Sequence, residues 1–345
     1  MEALLASERA AEQNVRILLK DTSLPIANLI PALEEYRAAW LTAASADYVN
    51  GVEKKEARLW QLHTEAKRYF HKALSDARRN TQQSVALRQV TKLYLNFIKN
   101  AERFYREYIN TLRITYGGIP ELEAIAQKVK SDGKGESSQS LASPEQRKLV
   151  LDSCHRTLIY IGDLLRYRGS EKLDKAPDFG PAIGFYDLAC SLRPTSGLGH
   201  HQRAVIALEQ KHHLRAVYHL YRAIVLDEPH PNAANNLKLE FEKTNAAWDQ
   251  GGLIQKGPPG DPDAAKNTLV GWFVRLHSMC FKGEAFRGYD ELEKEVLSQL
   301  AAVLKQHDLD GTLVRMVLIN MAAQYYATER FKGKSQGVTM GGSRS

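Results

Sequence analysis

The histidines between positions 200 and 219 are the first candidates for chemistry, because imidazole nitrogens are common metal ligands. They occur as His200-His201, His212-His213 and His219. No cysteine or carboxylate accompanies them at ligand-like spacing, and adjacent histidines on a helix point their rings in different directions. The sequence therefore favours structural or surface roles for these histidines, and it predicts neither a metal site nor a cofactor.

The three cysteines argue against a disulfide framework. Cys154, Cys190 and Cys280 lie far apart and are odd in number, which is typical of buried thiols in a reducing compartment. The chain starts without the basic segment and apolar core of a secretory signal. It also has no run of roughly eighteen apolar residues that could span a membrane. We therefore expect a protein of the cell interior that does not bind membranes.

The sequence contains no recognisable catalytic motif. Gly333-Lys334-Ser335 resembles the end of a phosphate-binding loop, but Thr328 stands where the upstream glycine is needed, and no strand is predicted before it. No nucleophile and base stand in a recognisable pattern either. The sequence predicts no catalytic residues and a protein that is not an enzyme.

The charge balance favours anionic partners. Lysine and arginine number 47 against 40 acidic residues, for a net charge of +7. Arg166 and Arg168 stand close together, and a guanidinium offers a planar fork of donors to phosphate oxygens. From the pattern alone, both arginines could equally be solvated at a helix end or paired with Asp163 and Glu171.

The spacing of apolar residues predicts helices along the whole chain, since they recur at three- and four-residue steps. Ser143 with Pro144 and Gln146 has the form of a capped helix start. No segment alternates apolar and polar residues as a half-buried strand would. The predicted fold class is all-α, with helices near 4–20, 28–44, 53–78, 84–116, 144–168, 264–280, 289–307 and 311–327.

An internal repeat lies within residues 181–230. Equivalent positions are 34 residues apart, and each unit closes near a proline, Pro194 and then Pro229. This is the period of tetratricopeptide helix pairs, in which alanines let neighbouring helices approach. The matching pairs are Ala182 and Ala216, Tyr186 and Leu220, Ala189 and Ala223, and Leu192 and Leu226.

Polar and glycine-rich segments divide the chain. The first, at about 130–143, reads as a disordered loop, and a second break falls at 250–263. The predicted organisation has four parts: a first helical domain at 1–175, tetratricopeptide-like helix pairs at 176–250, C-terminal helical hairpins at 264–330 and a flexible tail at 331–345.

Four segments together resemble a known family. They are LIYIGDLLRYR at 158–168, FYDLA at 185–189, LRPTSG at 192–197 and AVYHLYRA at 216–223. They resemble the telomerase-associated "ever shorter telomeres" family, which includes the 14-3-3-like adaptors of nonsense-mediated mRNA decay. The resemblance extends from about residue 5 to residue 330, and the GDLLRYR block is its most specific part.

The resemblance implies a phosphate-binding site on the first domain. Residues 1–175 would form a 14-3-3-like helical bundle with a phosphoserine groove, continued by the tetratricopeptide-like and further helical hairpins. Arg166 and Tyr167 match the arginine–tyrosine pair that holds the phosphate in this family. A phosphoserine carries nearly two negative charges at pH 7, so aligned cations would select it over serine.

A second cation is implied on the preceding helix. The ungapped match to the family's pocket lysine falls on Glu65, which would repel phosphate, whereas a shift of two residues brings in Lys67. We favour Lys67, with Lys72, Arg168 and His201 as possible supporting residues. His201 stands where the family pattern has an asparagine.

Three functions remain open at this stage. The first is a phosphoserine-peptide-binding adaptor in nonsense-mediated mRNA decay, whose partner would be a phosphorylated decay factor of the helicase type. The second is a telomerase-associated subunit that binds single-stranded RNA or DNA, with Arg78-Arg79 and Arg166/Arg168 as basic clusters. The third is a helical scaffold with a decayed phosphate pocket, to which Glu65 points.

Overall fold

The computed structural model describes most of the chain. The described residues are 1–21, 24–79, 84–129, 141–174, 176–254, 263–283, 286–305, 309 and 311–339, with backbone alone for 331–339. Most of the predicted loop at 130–143, most of the break at 250–263 and the end of the predicted tail, 340–345, lie outside them.

The described residues form helices and no β-strand, so the predicted all-α fold class is confirmed. A short 3₁₀ helix at Ile26–Asn28 precedes the second α-helix. The thirteen α-helices of the described residues are α1 Glu2–Lys20, α2 Leu29–Ala46, α3 Val52–Arg79, α4 Ser84–Thr115, α5 Pro120–Val129, α6 Pro144–Ser170, α7 Gly180–Leu192, α8 Leu198–Glu209, α9 His213–Val225, α10 Ala233–Asp249, α11 Ala264–Cys280, α12 Tyr289–Leu304 and α13 Thr312–Thr339.

Two compact units divide the chain, Met1–Leu192 with α1 to α7 and Arg193–Ser345 with α8 to α13. The four-part organisation predicted above stays a prediction. The last helix continues to Thr339, so the first part of the predicted flexible tail is helical. None of the described helices is both long and apolar enough to cross a membrane.

Aromatic side chains fill the core of the first unit. Trp40 of α2 is fully buried and meets Phe104 and Tyr108 of α4 edge to face, at centroid distances of 6.0 and 5.2 Å. Phe70 of α3 stacks on Phe97 of α4 at 5.2 Å. Each such pair contributes about 1 kcal/mol beyond the buried area, so α3 is held firmly against α4.

The helix α6 begins as its sequence predicts. The Ser143 hydroxyl accepts a hydrogen bond from the backbone N–H of Gln146. The Gln146 side-chain oxygen accepts one from the backbone N–H of Ser143, and Pro144 occupies the first turn. Further along, a Cβ at Gly162 would overlap the Tyr186 ring of α7. The glycine therefore lets α7 approach α6 closely, which brings Tyr186 against the C-terminal half of α6.

The predicted 34-residue repeat is present in α7 and α9. The repeat predicts small and large apolar side chains that pack between helices. The residues at six of its positions are fully buried: Ala182, Tyr186, Ala189, Ala216, Leu220 and Ala223. In the second unit Gly197 lies against the backbone of α9, where a Cβ would meet the Ala223 carbonyl. Its amide donates to the Glu228 carbonyl at 2.9 Å.

Candidate functional site

The site lies at the C-terminal part of α6, facing α3. Two cations lie over the ring of Tyr167: the Lys67 Nζ is 5.1 Å from its centroid and the Arg166 Cζ is 4.7 Å from it. Cations over an aromatic face gain about 0.5–2 kcal/mol each. The structure thus brings together Lys67, Arg166 and Tyr167, the three residues predicted to bind phosphate; they are called the Tyr167 cluster below.

Arg166 is held in one orientation by two neighbours. Its Nη2 donates to Asp163 Oδ1 at 3.0 Å, and its Nε donates to the Tyr186 hydroxyl at 3.3 Å. The Tyr186 hydroxyl in turn donates to Asp163 Oδ1 at 2.6 Å. Because Asp163 and Tyr186 are buried, this triangle is shielded from water and fixes the guanidinium before any ligand arrives.

The electrostatics keep Arg166 charged and Tyr167 protonated. Burial lowers the pKa of Arg166, but the nearby Asp163 carboxylate more than offsets this and the pKa is raised. Burial, with the Asp163 charge, raises the pKa of Tyr167 to about 12. Near neutral pH the cluster therefore presents a cation and a phenol that can donate a hydrogen bond.

Lys67 has a carboxylate partner of its own. Its Nζ lies 3.4 Å from Glu171 Oε1, which also contacts His71 Nδ1 at 2.7 Å. The Arg78 side chain donates to the Glu171 backbone carbonyl. The sequence-based alternative that paired Glu171 with Arg166 or Arg168 is wrong, since Glu171 orients Lys67 instead, while its pairing of Asp163 with Arg166 is confirmed.

Glu65 lies on another face of α3. Its Oε2 is 3.4 Å from Arg16 Nη1 of α1, and its Oε1 accepts from the Gln61 side chain at 3.0 Å. Two residues correspond to about 200° around an α-helix. Glu65 therefore faces α1 while Lys67 faces Tyr167, which removes the reason to regard the site as disabled by Glu65.

A supporting role of Lys72, Arg168 and His201 stays a prediction. Lys72 is exposed. Arg168 forms a two-pronged ion pair with Asp174, Nε to Oδ2 at 2.5 Å and Nη2 to Oδ1 at 3.0 Å. His201 belongs to the second unit, where its Nε2 is 2.9 Å from the Asn236 amide nitrogen and its ring stacks on His230.

Two residues of the site were missed by the sequence analysis as functional residues. Tyr186 had been identified only as a repeat position, and Glu171 only as an alternative ion-pair partner of the arginines. Local spacing could have suggested Asp163, since residues three apart share a helix face. Tyr186 and Glu171 reach the site through tertiary packing, which no local signal reports.

A second group of cations lies around His219 in the second unit. His219 is buried on α9, with its Nδ1 3.1 Å from the Nδ1 of His200 on α8. Helix α9 packs against both α8 and α13. The group, called the α9 cluster below, comprises His200, Arg203, Arg215, His219, Arg222 and Arg315.

These cations act on one another. Burial, and then the charges of Arg203 and the other cluster members, lower the pKa of His219 to about 2. Burial, followed by the charges of Arg215 and Arg203, likewise lowers the pKa of Arg315. The Nε of Arg222 is buried without a hydrogen-bond partner. The α9 cluster therefore brings several arginines close to two histidines whose pKa values are lowered.

Metal-ligand geometry is missing from the described residues, where no three histidine, cysteine or acidic side chains converge on one point. The three thiols are unbridged, with Cys154 buried and Cys280 exposed. The described fold and its sites define an all-helical scaffold protein with two separate cationic sites.

Family models identify the group to which this scaffold belongs. A model described as "Telomerase activating protein Est1" matches residues 54–171, and one described as "Est1 DNA/RNA binding domain" matches residues 182–339. The chain belongs to the family of Est1 and the nonsense-mediated mRNA decay factors related to it. The family inferred from the GDLLRYR block and its companion segments is thereby confirmed.

Individual relatives come from both branches of the family. The nonsense-mediated mRNA decay factor SMG7 of Arabidopsis thaliana is 30% identical over 245 residues, 66% of this chain and 22% of that protein. The telomere elongation protein est1 of Schizosaccharomyces pombe is 24% identical over 162 residues, 44% of this chain and 33% of that protein. The chain thus spans about a fifth to a third of these relatives.

A solved structure shares the fold. The crystal structure of Est1 and Cdc13 contains a chain that superposes with a TM-score of 0.67, covering 92% of this chain and 64% of that one at 13% identity. At this identity the likeness shows the fold alone. The names of these relatives describe decay and telomere factors, and the absence of enzymatic activity in this chain stays a prediction.

Proposed function

We propose that this protein is an adaptor that binds phosphoserine-containing peptides through the Tyr167 cluster. The observation that carries the proposal is that the Lys67 ammonium and the Arg166 guanidinium both lie over the ring of Tyr167. Together the three side chains provide two positive charges and a phenolic donor for a phosphate group. Hydrogen bonds from charged donors to phosphate contribute about 1.5–3 kcal/mol each.

The carboxylates beside these cations support selectivity for a phosphate dianion. Asp163 already accepts from Arg166, and Glu171 forms an ion pair with Lys67. A neutral serine hydroxyl offers no charge that competes with them. A phosphate with nearly two negative charges does, because it can accept from both cations at once. Pre-oriented cations also lose little side-chain entropy on binding.

The relatives suggest the process in which such an adaptor acts. Similarity to SMG7 supports a role in nonsense-mediated mRNA decay. The bound partner we propose is a phosphorylated decay factor of the helicase type. Similarity to est1 supports a telomerase-associated role for the same architecture. The work would take place in the cytoplasm and nucleus.

The test is a binding titration with paired peptides of one sequence, serine in one and phosphoserine in the other, read by fluorescence polarisation. We expect at least a 100-fold preference for the phosphopeptide, and loss of that preference in Arg166→Glu. Arg168→Glu is the matched control, because it makes the same charge change two residues away at the Asp174 pair. Retained selectivity in Arg166→Glu contradicts the proposal.

A second candidate function, binding of single-stranded RNA or DNA, rests on the α9 cluster. The cluster lies in the segment that matches the DNA/RNA binding model, and its arginines would attract the phosphates of a nucleic acid. The half-buried ring of Tyr218, 4.8 Å from His219, adds an aromatic side chain beside them.

Salt dependence tests this second candidate. A plot of log affinity for oligouridine against log salt should be steep, since each neutralised phosphate releases bound counterions. Arg215→Glu should weaken binding about tenfold and reduce the slope by about one. Lys238→Glu, an exposed lysine of α10, is the control. A flat salt dependence, or equal effects of both variants, would contradict nucleic-acid binding by the α9 cluster.

A further inference from the structure

An apolar cavity of about 560 Å³ opens between α12 and α13 in the second unit. Helix α12 packs on α11, helix α13 packs on α9, and the cavity lies between them. Its floor is formed by buried side chains of three helices, among them Phe273, Val296 and Met316. At its inner end the His277 Nε2 is 2.8 Å from Asn320 Oδ1.

An exposed apolar stripe continues from the cavity along both helices. On α13 it consists of Val314, Val317, Met321 and Tyr325, which are 49–63% exposed. Their spacing of three, four and four residues places them on one helix face. Helix α12 adds Leu297 and Leu304, seven residues apart and each more than half exposed. Leu297 and Val317 also line the cavity mouth, so cavity and stripe form one surface, called the α12–α13 cleft below.

Exposed apolar side chains are concentrated at this cleft. Thirteen large apolar side chains are exposed in the described part of the chain, and seven of them lie between Tyr289 and Tyr325. Scattered exposed apolar residues are normal, whereas a contiguous patch marks an interaction surface. Among the described residues, no further helix covers the exposed apolar side chains of the α12–α13 cleft.

Charge distinguishes one end of the cleft. The Arg330 guanidinium lies 5.8 and 5.6 Å from the ring centroids of Phe281 and Tyr326, and Lys282 is exposed beside them. All four residues line the cavity, and Glu293 is the one acidic residue among its lining residues. The positive end of the cleft therefore suits an acidic group on its occupant.

We propose that the α12–α13 cleft binds an amphipathic α-helix of a partner protein, with its apolar face in the cavity and an acidic residue at the end near Arg330. The stripe from Val314 to Tyr325 covers twelve residues, about 16 Å from first to last, which matches three turns of a docked helix. Such a helix anchors through apolar residues at i, i+3 or i+4, and i+7. A small molecule would fill the cavity but leave the stripe exposed, so the extended surface favours a helix.

The probe for this proposal is a designed, fluorescein-labelled helical peptide of sixteen residues with leucines along one face and two glutamates at one end. We expect micromolar binding to the full chain. Val317→Glu and Leu297→Glu should each weaken it at least tenfold, because they place a charge in the apolar seam. Leu239→Glu is the matched control, since Leu239 is an exposed leucine of α10 that does not line the cavity.

Substitutions at exposed positions should leave the fold intact, which circular dichroism of each variant checks. Alkylation of Cys280, an exposed thiol that lines the cavity, gives an independent readout. We expect the peptide to slow its reaction with iodoacetamide several-fold in the wild-type protein and not in Val317→Glu. An unchanged rate at saturating peptide contradicts docking in the cleft.

The charged end is tested with a second peptide that carries lysines in place of the glutamates. The wild-type protein should prefer the glutamate peptide about tenfold, and Arg330→Glu should reverse the preference. Equal binding of both peptides overturns the assignment of an acidic partner.

Other occupants would give different results. Binding of palmitate with no binding of either peptide would assign the cavity to a lipid and overturn the proposal. A concentration-dependent dimer in light scattering that Val317→Glu abolishes would assign the cleft to a second copy of the chain, with the same consequence. Loss of phosphopeptide binding in Arg166→Glu concerns only the first unit. The phosphopeptide proposal and the helix-docking proposal are therefore tested separately.

Discussion

The Tyr167 cluster and the α9 cluster both concentrate positive charge, but they do so in opposite ways. In the first unit Arg166 and Lys67 each have a carboxylate within 3.4 Å. In the second unit the cations surround two histidines whose pKa values fall, through burial and then the neighbouring positive charges, to about 4 for His200 and about 2 for His219. The first site is pre-oriented by its carboxylates, whereas the second is distinguished by several arginines near two histidines of lowered pKa.

This difference indicates two kinds of anion recognition. Carboxylates fix the direction of the cations in the Tyr167 cluster and cancel much of their long-range field, so binding there depends on a well-placed doubly charged group. On the second proposal, the arginines of the α9 cluster would attract a run of phosphates, and this attraction would be sensitive to salt. The first unit would then supply specificity for a phosphate group, and the second unit attraction for a nucleic acid.

The largest effect is expected from charge changes on α3. Lys67→Glu should lower phosphopeptide affinity at least 100-fold, about 2.7 kcal/mol, because it places a negative charge beside the phosphate. Glu65→Lys, two residues away but facing α1, should change affinity less than threefold. Isothermal titration calorimetry measures both. A large gain in affinity for Glu65→Lys would mean that Glu65 lines the pocket after all.

The next effect separates the two clusters. Arg215→Glu should weaken oligouridine binding about tenfold and leave phosphopeptide binding unchanged, whereas Arg166→Glu should do the reverse. The physical reason is that each substitution alters the field of one site only. Parallel titrations of both ligands against both variants measure this. If either variant impairs both ligands equally, the two anion sites are not independent.

A smaller effect is expected from the residue that positions Arg166. Tyr186→Phe removes the hydroxyl that accepts from Arg166 and donates to Asp163. We expect a three- to tenfold loss of phosphopeptide affinity and a fall of about 1 kcal/mol in the free energy of unfolding. Urea denaturation and fluorescence polarisation give the two quantities. Unchanged affinity would show that the triangle stabilises the fold without preparing the site.

The smallest expected effect is the change in stability caused by a shift of pH. Burial lowers the pKa of His277 to about 4, and burial with neighbouring cations lowers that of His219 to about 2. The unfolded chain then binds more protons than the folded one, so stability falls as pH drops below about 6.5, by up to about 1.4 kcal/mol per pH unit for each histidine. Thermal melting between pH 7 and pH 4.5 measures this, with His277→Gln as the variant that removes one histidine's share. A flat profile would place these histidines in contact with water.

Much of the fold could be predicted from local sequence. The helix predicted at 264–280 coincides with α11, and the capped start at Ser143 is found as predicted. Both depend on neighbouring residues in the chain, through spacing and capping. The exposed stripe of α13 shows the limit: its apolar residues have helical spacing, but spacing cannot tell a face that packs inward from one left open.

The site was predictable in part, for the same reason. Arg166 and Tyr167 came from a motif within one helix, whereas the choice between Glu65 and Lys67 depended on the face of α3 that meets α6. Glu171, the C-cap of α6, contributes through its ion pair with Lys67 of α3, and Tyr186 enters from α7 through the close packing that Gly162 permits. Such contacts are set by tertiary structure and could not be derived from the sequence.

The most direct measurement of the central claim is a ³¹P NMR titration of a phosphoserine peptide bound to the protein. A free phosphoserine loses its second proton with a pKa of about 6. If Lys67 and Arg166 contact the phosphate, they stabilise its dianion, so the bound phosphate should titrate at least one pH unit lower, and Arg166→Glu should abolish the shift. A phosphate signal that titrates as in the free peptide would contradict the assignment of the Tyr167 cluster as the binding site.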